Sequence, residues 1–285
     1  MSKVLKTIWS EFIYGGHLLS IGSAGIVFSA AKLIGSSYDW AILIVVYCFS
    51  QAIYLFNRLE EFETDIETNP SRTEHIKNRL KSLKIEILAY LVFAYVIMIY
   101  QRTWGAIFFS FIPLFIGWTY TKYLKDLTSK IIGLKTIIVS ITWALLLPFY
   151  YLYFEISSNL MTFLLVFLFI LLRWVLNTSF FDVKDIAGDQ KIGLKTYPVY
   201  FGIKRYMLYA KILNFVSVVP IVIGVINSIF PKWALVFVIL IPFIHVCLNN
   251  SQKYPKKMSY YYVYADSEFI VWALLVVIGL NLTRI

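Results

Sequence analysis

The chain has 285 residues, of which 60% are hydrophobic and only 15% are charged. Soluble domains are about 45–50% apolar and about 25% charged, and a particle of this size has too little interior to hide so much apolar surface. Intrinsic disorder is also excluded, because it requires few apolar residues and much charge. The composition therefore indicates an integral membrane protein.

Nine apolar runs follow one another along the chain, each close to the roughly 20 residues that a transmembrane helix needs. They lack the alternation of β-strands, and a helix satisfies its own backbone hydrogen bonds in hydrocarbon. No low-complexity segment or long linker divides the chain. The sequence predicts an all-α polytopic transmembrane helical bundle of about nine spans, forming a single domain over residues 1–285. The predicted spans are residues 12–34, 38–60, 84–101, 103–121, 131–153, 159–181, 206–229, 231–249 and 260–282.

The formal net charge of +10 is concentrated in the connections after the second, fourth, sixth and eighth spans. By the positive-inside rule these connections are cytoplasmic, which predicts a cytoplasmic N-terminus and an external C-terminus. The first apolar run has no convincing cleavage site and is interpreted as a transmembrane helix. Membrane orientation explains the basic charge, so no nucleic-acid partner is expected.

Two groups of polar and acidic residues stand at the ends of the second and sixth spans, both on the predicted cytoplasmic side. The members recur at i, i+4, i+8 in the first group and at i, i+3, i+7 in the second. With about 100° per residue, each set shares one helix face. The first group is Asn57, Glu61 and Asp65, and the second is Asp182, Asp185 and Asp189.

Such groups are suited to binding a divalent cation. Mg²⁺ takes oxygen ligands, and proteins hold it through one or two carboxylates together with substrate phosphates. Two facing carboxylate helices can hold two Mg²⁺ ions with a diphosphate between them. A single acidic group at a helix end is more often simply solvated. Two groups on the same side of the membrane, with basic residues around them, favour a binding site.

Basic and polar residues extend this arrangement. Arg173 and Asn177 lie inside the sixth span, and ionisable residues in a membrane usually face a bundle interior or a wet cavity. A structural ion pair is the alternative for Arg173. Lys135 and Asp266 are further candidates for the cavity. The lysines after the fourth span are suited equally to phosphate binding and to membrane orientation. The predicted substrate-binding residues are Arg58, Arg72, Lys122, Lys125, Arg173, Asn177 and Lys184.

The two groups resemble the two Asp-rich motifs of the UbiA superfamily of intramembrane prenyltransferases. The segment DVKDIAGD at 182–189 and the segment KTYP at 195–198 look like the second motif. The first motif is degenerate, because Glu61 stands where Asp is usual and Arg58 replaces the first Asp. Residues 69–72, NPSR, resemble the Arg-containing segment that follows the first motif.

The resemblance covers nearly the whole chain and implies a helical bundle around a central cavity. In this family Mg²⁺ ions held by the motifs bind a prenyl diphosphate, and the prenyl group passes to an acceptor. The expected partners are therefore a prenyl diphosphate, an unidentified aromatic or lipid acceptor and membrane lipid. The residues implied as metal ligands and catalytic residues are Asn57, Glu61, Asp65, Asp182, Asp185 and Asp189. Arg58 is expected to contact the diphosphate directly.

Two other functions remain open at this point. A UbiA-type terpene cyclase has the same fold but captures the allylic cation within its own chain. A membrane transporter also has intramembrane charges and a central cavity. Carriers usually bind their substrates near the midplane, whereas these acidic residues stand at helix ends, which favours the enzyme. The sequence does not identify the acceptor or the length of the prenyl chain.

Overall fold

The computed structural model describes residues 3–77, 79–120, 125–253 and 258–283, and every regular element within them is a helix. Short 3₁₀ helices occupy Lys125–Ser129 and Lys232–Ile239. The α-helices are α1 (Lys3–Tyr14), α2 (His17–Leu33), α3 (Trp40–Glu60), α4 (Phe62–Thr68), α5 (Pro70–Lys77), α6 (Leu80–Tyr100), α7 (Trp104–Thr119), α8 (Leu134–Ala144), α9 (Leu146–Tyr153), α10 (Leu160–Asp182), α11 (Ile186–Lys191), α12 (Tyr197–Phe201), α13 (Ile203–Val216), α14 (Val219–Ile226), α15 (Leu240–Lys253) and α16 (Met258–Leu282).

The predicted architecture is confirmed, although the count of nine spans is approximate. Within the described residues, seven helical segments are long and apolar enough to cross a membrane, and the bent pair α1–α2 raises this number to eight. The helix α7 is apolar but has only 16 residues. The seven segments are Trp40–Glu60, Leu80–Tyr100, Leu134–Tyr153, Leu160–Asp182, Ile203–Ile226, Lys232–Ser251 and Tyr261–Leu282.

The first two helices meet at an angle of 54°. The bend lies at Gly16, whose φ of 85° is in the left-handed region that favours glycine. A Cβ atom at this position would lie 2.3 Å from the ring of Tyr54, so a side chain would not fit. The bend directs α1 towards α5, where the Glu11 carboxylate is hydrogen-bonded to His75 at 2.7 Å and also binds Arg79. The N-terminal helix is thereby joined to the segment that follows the first acidic group.

The centre of the bundle is the contact of α2 with α3 and α16. Small residues let α2 approach α16 closely, as is common between transmembrane helices. A Cβ atom on Gly25 would lie 2.5 Å from the carbonyl oxygen of Phe269. Aromatic residues fill the neighbouring core, where the rings of Phe169 and Trp272 stack with centroids 4.4 Å apart. This packing fixes the backbone of α16 relative to α2.

The outer surface of the bundle is apolar. On α7 the side chains of Phe108, Phe111 and Phe115 are exposed, and in water such a patch would be costly. Lipid is the environment that suits these residues, which agrees with the lengths of the helices. Polar groups are instead found in the interior, around a large cavity.

Candidate active site

A cavity of about 550 Å³ lies between the helices that carry the two acidic groups. Its wall is built from α3, α4, α5, α7, α8, α10, α11 and α16, with one residue of α2. The helix ends contribute charged side chains, whereas residues further into the bundle, such as Ile53, Val139 and Trp143, are apolar. The volume falls within the range of about 300–1,000 Å³ that is typical of small-molecule sites. The cavity therefore has a charged end and an apolar end.

The first acidic group is held by two arginines. The helix α3 ends at Glu60, but the backbone bond from the Asp65 N–H to the Glu61 carbonyl continues the helical path, so the spacing of the group persists across the junction. Arg58 donates to Asp65 at 2.6 Å and to Glu61 at 3.2 Å. Arg72 donates to both oxygens of Asp65 at 2.9 Å, and the Asn69 amide donates to the same carboxylate at 3.2 Å.

These partners determine the charge of Asp65. Burial raises the pKa of this carboxyl, but the guanidinium groups of Arg58 and Arg72 lower it by more. The pKa of Asp65 therefore lies below its usual value, and the group is a carboxylate near neutral pH.

The second acidic group begins at the last residue of α10. Asp182, whose side chain is almost fully buried, accepts from the Lys135 ammonium at 2.9 Å and from the Thr136 hydroxyl at 3.1 Å. Lys135 is directed into the cavity because α8 starts directly after Gly133, which has a φ of 67° and packs against the ring of Tyr197. The turn that precedes α8 therefore places a cation beside Asp182.

Asp189 lies seven residues after Asp182, in the short helix α11. It accepts a hydrogen bond from the Thr196 hydroxyl at 3.1 Å. Burial raises the pKa of its carboxyl to about 6, and nearby Asp182 and Asp185 also raise the pKa, while Lys135 opposes them. The proton on Asp189 is consequently released close to neutral pH.

Lys184 connects the two groups. Its ammonium donates to Asp185 at 2.7 Å and to the Asn69 side-chain oxygen, 115 residues away in sequence, at 2.8 Å. The Tyr262 hydroxyl of α16 donates to the same Asn69 oxygen at 2.6 Å. Burial lowers the pKa of Lys184 to about 8, although Asp185 opposes this effect. One amide oxygen thus joins three segments of the chain at the charged end of the cavity.

Most of the residues predicted from the sequence lie in the wall of this one cavity. Lys122 and the side chain of Lys125 lie outside the described residues. The predicted residues in the cavity wall are Asn57, Arg58, Glu61, Asp65, Arg72, Asn177, Asp182, Lys184, Asp185 and Asp189.

Arg173 is placed differently from the prediction of a substrate-binding residue. Its side chain is fully buried, outside the lining of the cavity, and its guanidinium lies 2.6 Å from the Glu268 carboxylate. It also donates to Asn214 at 2.8 Å and to Ser217 at 3.2 Å. The structural ion pair, which the sequence left open as the alternative, is the arrangement that forms. We therefore leave Arg173 out of the proposed site.

Several residues of the site carried little or no signal in the sequence. Thr136 and Thr196 are ordinary polar residues, and only their contacts with the carboxylates reveal them. Tyr262 belongs to a run of tyrosines that offers no reason to choose one. Lys135 and Asp266 were recognised as candidates, and both line the cavity.

The donor set is suited to Mg²⁺ together with a phosphorylated ligand rather than to a cage formed by protein alone. Within the described residues no three side chains of His, Cys, Asp and Glu are gathered as a metal site. The carboxylates are instead compensated by Arg58, Arg72, Lys135 and Lys184. Mg²⁺ commonly binds through one or two carboxylates and completes its octahedron with water and phosphate oxygens. The oxygen donors present fit that requirement.

These features define a class of protein: a polytopic helical membrane protein with a charged cavity at the helix ends. A model of the UbiA prenyltransferase family matches residues 18–279. The chain belongs to this family, so the resemblance found in its motifs is confirmed. A search of curated protein sequences finds no match.

Solved structures share the fold at low sequence identity. A UbiA homologue from Aeropyrum pernix K1 superposes with a TM-score of 0.71 at 14% identity, covering 93% of this chain and 98% of that one. A UbiA homologue from Archaeoglobus fulgidus bound to GPP and Mg²⁺ superposes with a TM-score of 0.61 at 13% identity, covering 94% of this chain and 99% of that one. A digeranylgeranylglyceryl phosphate synthase superposes with a TM-score of 0.55 at 18% identity, covering 98% of this chain and 97% of that one.

Proposed function

We propose that this protein is a Mg²⁺-dependent intramembrane prenyltransferase that moves a prenyl group from a prenyl diphosphate to an acceptor. The observation that carries the proposal is the placement of both acidic groups, with their basic partners, in the wall of one cavity whose deeper part is apolar. A prenyl diphosphate has the same division, with a charged head and an apolar tail. One homologue of the same fold was solved with GPP and Mg²⁺.

The metal would be held by the residues of the two acidic groups, which line the cavity and offer only oxygen donors. Bound Mg²⁺ would neutralise the negative charge that develops on the leaving diphosphate. The carboxylates of Asp65 and Asp182 already accept hydrogen bonds from arginine and lysine side chains. The ligand set we propose is Asn57, Glu61, Asp65, Asp182, Asp185 and Asp189.

The basic residues of the wall would bind the diphosphate. Arg58 and Arg72 are each 8% exposed, and the Nε atom of each has no hydrogen-bond partner among the described residues. A buried donor without a partner is costly, and phosphate oxygens are strong acceptors for guanidinium groups. Lys135 and Lys184 add two more cations at the same end. Fixed cations aimed at the leaving group lower the barrier to its departure.

The apolar part of the cavity would hold the prenyl chain and exclude water. Ile53, Ile138, Val139 and Trp143 line this part and offer a hydrocarbon chain little but apolar surface. An allylic cation that forms here is protected from hydrolysis, because the surrounding helices displace solvent. We place the charged end of the cavity on the cytoplasmic side, following the distribution of basic residues between the spans.

The proposal is tested with purified protein, geranyl diphosphate labelled in the prenyl chain, and Mg²⁺. We expect diphosphate release that depends on Mg²⁺, and a fall of about 100-fold or more in Asp182→Asn and Asp185→Asn. Glu74→Gln is the matched control, because Glu74 is an exposed carboxylate outside the cavity lining. Full activity of both aspartate variants, or no reaction of the wild type with any prenyl diphosphate, would reject the proposal. A cyclic hydrocarbon as the product would identify a cyclase instead.

A further inference from the structure

Asp266 is a carboxylate in the cavity wall that the proposed metal site does not use. It lies on α16 and is 5% exposed. Within the described residues its side chain makes no hydrogen bond and no ion pair, whereas Asp65, Asp182 and Asp189 are each held by at least one donor. An ionisable side chain inside a membrane bundle is costly and usually serves a function.

The same helix carries a second buried carboxylate, Glu268, which has a structural role. Two residues after Asp266, Glu268 is 1% exposed and pairs with Arg173 at 2.6 Å. Asp266 has no such partner, although Arg72, Lys184 and Arg58 are close enough to act on it electrostatically. The two carboxylates differ in that only Asp266 lines the large cavity.

The position of Asp266 along α16 places it between the charged and apolar ends. Tyr262, one turn earlier, reaches Asn69 at the charged end. Phe269, almost one turn later, belongs to the apolar core. On the facing helix α10, the amide of Asn177 donates to the Ala265 carbonyl at 2.8 Å, and Asn177 precedes the acidic group by more than one turn. Asp266 therefore lies deeper than the acidic groups, at the level where the diphosphate of a bound donor would join its prenyl chain.

The backbone that presents this carboxylate is fixed. A Cβ atom on Gly22 would lie 3.2 Å from the Asp266 carbonyl oxygen, so α2 and α16 are in close contact at this residue. Gly25 makes a similar contact one turn further on, against Phe269. The carboxylate is thus held on a rigid element, as a group that acts on a substrate requires.

We propose that Asp266 forms the acceptor subsite of the cavity, binding the hydroxyl group of a neutral acceptor and taking its proton; this inference rests on the proposed prenyltransferase function. A carboxylate is a strong acceptor for an O–H group. An acceptor that carries its own carboxylate would place two like charges together beside Asp266, away from water. The nearby cations Arg58, Arg72 and Lys184 are already paired with Asp65, Glu61 and Asp185.

The reaction that follows from this placement balances. The bond between C1 of the prenyl chain and the diphosphate oxygen breaks, and its electron pair leaves with the diphosphate. The acceptor oxygen forms a bond to C1, and the hydroxyl proton passes to the Asp266 carboxylate. The products are an ether, free diphosphate and protonated Asp266, which later returns the proton to solvent.

The test uses purified protein with Mg²⁺, labelled geranyl diphosphate, and either naphthol or hydroxynaphthoate as the acceptor. We expect the wild type to form the geranyl ether of naphthol in preference to that of its carboxylated analogue. In Asp266→Asn, ether formation should fall by about 100-fold or more, while diphosphate release continues and geraniol accumulates. Asp266→Glu should recover part of the ether formation. Ser267→Ala, in a residue of the same helix outside the cavity lining, is the control and should match the wild type.

Each contrary result overturns the inference in a recognisable way. Ether formation at the wild-type rate by Asp266→Asn would show that Asp266 does not take the proton of the acceptor hydroxyl. A parallel loss of diphosphate release would assign Asp266 to donor cleavage, and a failure of this variant to fold would assign it a structural role. Preference for hydroxynaphthoate, or reaction with neither acceptor while diphosphate is released, would contradict the inference that the acceptor is a neutral hydroxyl compound. Absence of diphosphate release by the wild type would instead reject the proposed function itself.

Discussion

The Lys184 ammonium lies 2.8 Å from the Asn69 side-chain oxygen and links the segment after the first acidic group to the second group. The same ammonium is 2.7 Å from both oxygens of Asp185, and its side chain is 2% exposed. A single cation therefore holds together two parts of the cavity wall that come from distant regions of the sequence.

Removing this cation should weaken binding of the donor. In Lys184→Met the apolar stem is kept, but the Asn69 and Asp185 oxygens lose their shared partner and the cavity loses one positive charge. Hydrogen bonds to charged groups contribute about 1.5–3 kcal/mol, so KM for geranyl diphosphate should rise by about 10-fold or more. Steady-state kinetics measure the effect. Lys204→Met, at an exposed lysine, is the control, and equal KM values in the two variants would contradict the prediction.

Arg58 should contribute both charge and geometry to the site, and it is one of the two residues that depart from the family's first motif. It donates to Asp65 and Glu61 through two different nitrogens. Arg58→Ala leaves Asp65 with Arg72 and Asn69 as its hydrogen-bonding side chains among the described residues, and we expect kcat/KM to fall by about 100-fold. Arg58→Lys keeps the positive charge but lacks the planar guanidinium group, so its kcat/KM should lie between those of the wild type and Arg58→Ala. Wild-type activity in Arg58→Ala would show that this arginine does not contribute to the site.

The pKa of Asp189 predicts how Mg²⁺ binding depends on pH. Burial raises this pKa to about 6 in the metal-free protein. A protonated carboxyl has to lose its proton before it can ligate a cation, so Mg²⁺ binding should weaken as the pH falls through this value. Titration calorimetry of Mg²⁺ with a geranyl diphosphate analogue, at pH values above and below the pKa, measures the change. Asp189→Asn has no such proton, and its binding should show a weaker pH dependence in this range.

The sequence predicted those features that depend on neighbouring residues. Apolar runs of helical length identified the membrane-spanning segments. The i, i+4, i+8 spacing predicted a shared face for Asn57, Glu61 and Asp65, and the three residues line the same cavity. Contacts between distant segments left no such pattern. Thr136 lies 46 residues from its partner Asp182, and Tyr262 lies 193 residues from Asn69. The spacing of residues within one helix does not reveal which turn of another helix will face a carboxylate. Thr136 and Tyr262 could therefore be assigned to the site only from the fold.

Arg173 illustrates this limit and leads to a prediction about stability. The sequence showed an arginine inside a span but not its partner Glu268, which lies 95 residues away. Removing one member of a buried ion pair leaves an uncompensated charge and typically costs about 3–5 kcal/mol, whereas replacing both members by apolar residues costs much less. Arg173→Met and Glu268→Leu should each lower the apparent Tm in detergent.

The double variant separates a structural pair from a functional one. Arg173→Met/Glu268→Leu should recover a large part of the lost Tm, although Asn214 and Ser217 lose the guanidinium that they bind in the wild type. Because the pair lies outside the cavity lining, the double variant should also keep KM for geranyl diphosphate close to the wild-type value. If the double variant folds but its KM for geranyl diphosphate rises as much as that of Lys184→Met, Arg173 contributes to substrate binding after all. Additive losses of Tm in the double variant would show that the two charges do not stabilise each other.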